Sequence, residues 1–378
     1  MINSTKQQRL NQLSDSEYQQ FKEAIADIEI LIPKLSDVDS RLFDVAEDYN
    51  QKLSPQRQSR VFDERADYKQ IAQDFLQAIA KMDAIQPYYP LKNKPLFLEL
   101  LEDGMDTCSL WGFPTDEKNF DLKQVQKLNR CVMHIQYLLR QDDTQKEIKR
   151  IRRQQKRQAN SIQNYIKGLI YWYSKLEVIR IDLSYQRDVL MRFSDVHRHR
   201  ELMIRYLKEK HLGHAHVGFV WKLEYGLRKS YHLHMMIFMD GSKVQQSIKH
   251  GKLICEYWNN TVTNGQGTSF NCNGKMNDYR DCGIGTVQYY DEDKINALLR
   301  ASRYLTKYDP YIEVMLQYES FVELKEGNLD LSKQIANAHV FGKGQLPDIP
   351  FKWGRPRSYN SDGEKVLDAI LLEHQQDT

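Results

Sequence analysis

At 378 residues, 28% charged and 41% hydrophobic, the chain has the composition of a soluble globular protein with room for two domains, each able to bury a core. The first twenty residues are polar, and no apolar run approaches the roughly 18–20 residues of a membrane span, so neither a secretory signal nor a membrane segment is expected. Five cysteines (108, 131, 255, 272 and 282) form no CxxC pair and are odd in number, which points to a reducing cytoplasm and away from a disulfide framework or a zinc site.

The net charge of +3 conceals a split: residues 1–145 carry 18 Lys+Arg against 24 Asp+Glu, the remainder 36 against 27. A basic second half is the modest electrostatic footprint of a polyanion partner. Residues 1–145 read as an all-helical accessory or interaction domain. In "SDSEYQQFKEAIADIEILIPKL", Ser14 and Glu17 form a capping-box pattern, and apolar positions then follow helical spacing until Pro33. "RADYKQIAQDFLQAIAKMDAI" and "DLKQVQKLNRCVMHIQYLLRQ" predict two further helices, with no chemical motif among them.

Residues 146–176 follow as a basic linker helix. Within 146–157 stand seven basic residues and one acidic one, and neither Gly nor Pro interrupts the run before Gly168. Such a run is either a solvated helix face or a track for DNA phosphates, with Arg152 and Arg153 as candidate contacts. From 177 to 345 the periodicity changes. "EVIRIDLSY" alternates like a half-buried strand, and "RELMIRYLKEK" reads as a helix. "HVGFVWKLEY" and "YHLHMMIFM" are strands joined by five residues, a hairpin spacing. "GTVQYYD" is another short strand, and "DEDKINALLRASRYLTKY" a helix capped near Asp291 or Asp293 and ended before Pro310. Strands and helices in this order describe an α+β domain with an open antiparallel sheet flanked by helices, followed by a tail over 346–378.

The chain holds three His-x-His triplets. If Tyr225 pairs with Tyr231 across the hairpin, Glu224 falls opposite His232 and Lys222 opposite His234, all on one face. Two imidazoles and a carboxylate then converge, a mixed N/O set suited to Mg²⁺ or Mn²⁺. His197 and His199 sit in a polar stretch leading into a helix, and His214 and His216 lack an acid at the right offset, so both triplets read as bystanders. Seventy residues on, Tyr304 and Tyr308 are i and i+4 on the expected helix, with Lys307 beside them. Ile295, Leu298, Ser302 and Leu305 form a separate stripe facing the sheet. A phenolate is a feasible nucleophile at a metal-polarised phosphodiester, and a lysine offsets the charge that develops there.

"YHLHMMIF" followed by "YLTKYD" resembles the HUH endonucleases, the rolling-circle replication initiators. The nearer resemblance is to the inovirus gene-II-like family, also met as the YagK/YfjJ-type C-terminal domain of cryptic prophages. "EVIRIDLSY", "CEYWNN", "GIGTVQYYD" and "SRYLTKYDPYI" carry it over roughly 165–345. It implies a sheet of about five antiparallel strands, a divalent metal ion held by His232, His234 and Glu224, and nicking and rejoining of single-stranded or origin DNA in the cytoplasm of a bacterial host. Tyr304 would attack and become 5′-phosphotyrosyl-linked, Lys307 would stabilise charge, and Tyr308 stands as a candidate second nucleophile. Arg303, Arg355 and Arg357 are candidate DNA contacts, and a host replication helicase or polymerase is a further candidate partner. An inactive prophage-derived DNA-binding protein, and a transposase or relaxase with the same chemistry, are the alternatives.

Overall fold

The computed structural model describes residues 4–38, 42–43, 66–89, 94–116, 120–186, 189, 191–211, 213–226 and 230–346. The chain divides into two compact units, Met1–Arg150 and Ile151–Thr378. Among the described residues no helix is long and apolar enough to cross a membrane.

The first unit is helical. After α1 (Ser4–Gln12), α2 (Asp15–Leu31) opens on the expected capping box: the Glu17 amide donates to Ser14 Oγ at 3.2 Å and the Ser14 amide to Glu17 Oε2 at 2.7 Å. Pro33, which lacks the amide a helix interior needs, marks the tightening into a 3₁₀ turn over Ile32–Asp37. Then come α3 (Ala66–Ile85), α4 (Leu96–Cys108), for which no helix was expected, and α5 (Leu122–Arg140). Gly104 lets α4 and α5 approach, since a methyl there would lie 2.9 Å from Ile135 Cγ1. The core is an apolar set that includes Ile28, Phe75, Ile79, Leu101, Leu128 and Ile135, all fully buried.

The basic linker lies within α6 (Asp142–Trp172), which carries the boundary between the units and passes through Gly168 unbroken. Arg152 and Arg153 are exposed on it, while Ile162, Tyr165, Ile166 and Leu169 recur on one buried stripe. The second unit is built on a six-stranded antiparallel sheet: β1 (Lys175–Tyr185), β2 (His216–Gly226), β3 (Ser230–Asp240), β4 (Gly267–Asn271), β5 (Gly285–Gln288) and β6 (Phe341–Lys343). Its order is β4-β1-β3-β2-β6, and β5 pairs with the start of β1. Among the described residues the sheet therefore has six strands, against the expected number of about five. The two not expected, "GTSFN" and "FGK", are short and rich in Gly and polar residues, so they acquire strand character by pairing with β1 and β2 rather than by pattern.

Between the strands lie α7 (Phe193–Arg205), α8 (Ser247–Tyr257), α9 (Glu292–Ser302), α10 (Pro310–Lys325) and α11 (Leu329–Ala336). One sheet face packs Leu176, Val178, Val220, Met236 and Phe238 against the apolar stripe of α6 and against Leu298 and Leu305. The other face meets α7, α8 and α10. Tyr231 Oη donates to Glu319 Oε1 of α10 at 2.6 Å, and the Tyr185 and Trp258 rings stand 5.5 Å apart.

Candidate active site

The hairpin register is the expected one: Tyr225 faces Tyr231, Glu224 faces His232 and Lys222 faces His234. Opposed residues on paired strands share a face, and the pairing continues outward. Phe270, Asp182, His234, Lys222 and Phe341 stand opposite one another in turn across β4, β1, β3, β2 and β6. This row ends the apolar part of the face. The row beneath it, Arg180, Met236, Val220 and Lys343, begins the core.

His234, only 8% exposed, is held from both sides. Its Nδ1 lies 2.6 Å from Asp182 Oδ1 and its Nε2 3.1 Å from Glu224 Oε2. Burial alone would make the imidazole less basic, but hydrogen bonds to two carboxylates outweigh it and raise its pKa to about 9. Burial pushes Asp182 and Glu224 up, yet the bond from His234 and neighbouring cations hold both below their ordinary values. His232 belongs to the same face and adds its charge to the field at Glu224. Gly226 makes room for it, since a methyl there would meet the His232 ring at 2.6 Å. Lys222, 3% exposed, has its pKa lowered by burial against the pull of Asp309, Glu224 and Glu313.

Tyr304 comes to this cluster from the far end of the chain. Its ring meets the His234 ring edge-on at 5.6 Å, with the Arg180 guanidinium 4.5 Å and Lys307 Nζ 4.9 Å from its centroid. Burial raises the phenol's pKa first, and the charges of Glu224 and Asp182 raise it further, while Arg180 lowers it. Tyr304 and Tyr308 do not share a helical face, contrary to the i, i+4 expectation. α9 ends at Ser302, Arg303–Thr306 form a 3₁₀ turn, and Lys307 is extended. Two anchors impose the break. Leu305 is buried in the core, and Asp309 caps α10 by accepting from the Tyr311 amide at 2.9 Å while also accepting from the Tyr225 amide at 2.6 Å. Pro310 at the first helical position completes the stop. Tyr308 then bonds Glu313 Oε2 at 3.2 Å through its own hydroxyl. Arg303 is exposed on the 3₁₀ turn, and Arg355 and Arg357 lie outside the described residues.

The remaining triplets have other surroundings. Both histidines of the first lie inside α7 rather than before it; His199 Nδ1 is 3.0 Å from Tyr185 Oη and its ring meets Trp258 edge-on. Among the described residues His216 Nε2 is buried without a partner, and burial lowers the pKa of that ring to about 4.

Asp182 and Arg180 are the site residues that sequence reasoning missed. The available signal was two charged side chains at alternate positions of "IRIDLSY", both on the face that Val178 buries. As a metal site, the donors are joined to one another, and among the described residues no three are already drawn around one point. The His234–Glu224 pair nevertheless fits an ion. Adjacent ligands of an octahedral Mg²⁺ at about 2.1 Å stand about 3.0 Å apart, against 3.1 Å here. Asp182 then sits where a carboxylate would orient a ligating imidazole by bonding its other nitrogen.

An antiparallel sheet with helices on both faces, bearing an acid–imidazole row beside a tyrosine and two cations, defines the class of site. Residues 140–321 match the family model of the YagK/YfjJ C-terminal domain, a prophage-associated family. The match runs from the end of α5 into α10 and takes in the whole row on β1 to β3 together with Tyr304 and Lys307. No curated protein and no solved structure matches the chain.

Proposed function

We propose that the chain is a metal-dependent, tyrosine-nucleophile nickase and strand transferase of single-stranded DNA, a rolling-circle replication initiator of phage or prophage type. The observation that carries this reading is the placement of Tyr304 against His234 within the field of Arg180 and Lys307. His232, His234 and Glu224 would hold the divalent ion, which when bound supplies Lewis-acid polarisation of the scissile phosphate. Asp182 keeps the Nδ1 proton of His234 and leaves Nε2 for the ion. Tyr304 Oη attacks phosphorus and forms the phosphotyrosyl bond as the bond to the 3′-oxygen breaks. The 3′-oxygen leaves with the electron pair and takes a proton, and the phenolic proton passes to solvent across the open side of the ring. Arg180 and Lys307 offset the negative charge that builds on the phosphoryl oxygens. Rejoining runs the same steps backwards from the 3′-hydroxyl.

End-labelled single-stranded oligonucleotides incubated with Mn²⁺ test this. A protein–DNA adduct on a denaturing gel, absent with EDTA and absent in Tyr304→Phe, is the expected result. An adduct made equally well by Tyr304→Phe would transfer the role to Tyr308. DNA retention with no adduct under any condition would favour the inactive DNA-binding alternative.

A further inference from the structure

The row of opposed residues that carries Asp182 and His234 does not stop at the chemistry. Its β4 end is Phe270, directly opposite Asp182 on an edge strand, with its side chain on the chemical face and 48% exposed. Phe341, at the other end, packs on the core, so the two ends of one row differ in role. An exposed phenyl ring on an edge strand invites unwanted strand pairing and is costly to keep without a use. A second ring stands near the same carboxylate. Tyr279, 40% exposed, stands near Cys272, whose thiol donates to Asp182 Oδ2 at 3.7 Å. Lys275 and Arg280 are exposed on either side of Tyr279 in the chain, and Arg180 lies beside Asp182 on β1. Two half-exposed rings, basic side chains around them and small hydroxyls on the next row (Ser184 Oγ to Thr268 Oγ1, 2.7 Å) make a surface for unpaired bases and their phosphates.

We propose that this β4 side of the site is a base-stacking platform. Phe270 takes the face of one unpaired base of a DNA strand, and Tyr279 stands beside the strand as it leaves. The proposal rests on the nickase reading for the identity of the strand. Phe270 is two strand spacings, about 10 Å, from His234, which brings the stacked base close to the phosphate that Tyr304 addresses. A base in a duplex has no free face to offer, so the platform selects single strands.

The test uses full-length protein carrying Tyr304→Phe, so that no covalent linkage forms, and oligonucleotides with 2-aminopurine moved one position at a time. Quenching at one position is expected, with binding roughly 5- to 100-fold weaker and that quenching lost in Phe270→Leu. Phe270→Trp should keep both, which separates lost stacking from lost folding. Unchanged affinity and quenching in Phe270→Leu would overturn the platform, and so would duplex binding as tight as single-strand binding. In either case an adduct formed by the wild-type chain would leave the nickase reading intact. If the wild-type chain neither forms an adduct nor binds any oligonucleotide, both fall together.

Discussion

The helical unit and the sheet unit bury apolar side chains by the same means, yet they differ in what else they bury. Among the described residues, every polar or charged side chain that is fully buried lies between Glu177 and Ser332, in the sheet unit. Several are satisfied internally and hold the frame. Glu177 accepts from the Ser247 amide at 3.1 Å and from Thr286 Oγ1 at 2.6 Å, and Asn273 Nδ2 donates to the Val178 carbonyl at 2.9 Å. Lys222 and His234 differ from these, because they stand in a row that opens to solvent through Phe270 and Tyr304. Burying charge is costly unless paired, so a sheet that carries Asp182, His234, Lys222 and Glu224 on adjoining positions gives up stability there, as the proposed chemistry would require. Among the described residues of the helical unit, built on Ile28, Phe75, Leu101 and their neighbours, no such row of charges occurs, and the burial of charge there is felt at the Glu29 carboxylate.

The sharpest way to test that contrast sets Tyr304→Phe against Phe75→Ala. The first is expected to remove the DNA adduct with little change in thermal stability, because the ring is 37% exposed. The second empties a fully buried ring from the helical core and should cost about 3–5 kcal/mol of that unit's stability, with adduct yield per folded molecule unchanged. Loss of the adduct in Phe75→Ala at temperatures where it stays folded would mean that the helical unit takes part in the chemistry.

Next in size is Asp182→Asn. If this carboxylate sets the His234 tautomer, Mn²⁺ affinity measured by calorimetry should fall about 10- to 100-fold, and saturating Mn²⁺ should restore much of the adduct yield. Unaltered affinity would reduce Asp182 to a packing partner. This residue also marks where the sequence stopped being readable. Glu224, His232, Lys222 and His234 were legible because hairpin neighbours follow from a five-residue connection and a period of two. The strand on the other side of β3 is β1, some fifty residues earlier, and nothing local selects it. The same holds for the helix end before Tyr304. The spacing of Leu298, Ser302 and Leu305 continued the helical pattern, and the break is imposed from a distance, by the burial of Leu305 in the sheet core and by the bond from the Tyr225 amide to Asp309. The Ser14–Glu17 box, by contrast, closes within four residues and was legible in full; Ser14→Ala should cost the helical unit about 1 kcal/mol in chemical denaturation.

The smallest expected effect is a pH slope of opposite sign in the two units. In the helical unit Glu29 has one carboxylate oxygen buried without a partner among the described residues, and burial raises its pKa to about 7. The folded state therefore holds a proton that the unfolded chain releases near pH 4.5, and stability falls as pH rises from about 4.5 to 7. In the sheet unit His216 is buried as the neutral ring, with its pKa lowered by burial and then by Lys208 to about 4. There the unfolded chain binds the extra proton, so stability is complete above about 6.5 and is lost as pH falls toward 4. Urea denaturation of wild type against Glu29→Gln, and of wild type against His216→Gln, at pH 4.5 and pH 7 isolates each slope. On acidification the wild type should gain on Glu29→Gln and lose to His216→Gln. Two differences of the same sign would show that burial of these groups does not separate the units, and that the asymmetry is confined to the row around His234.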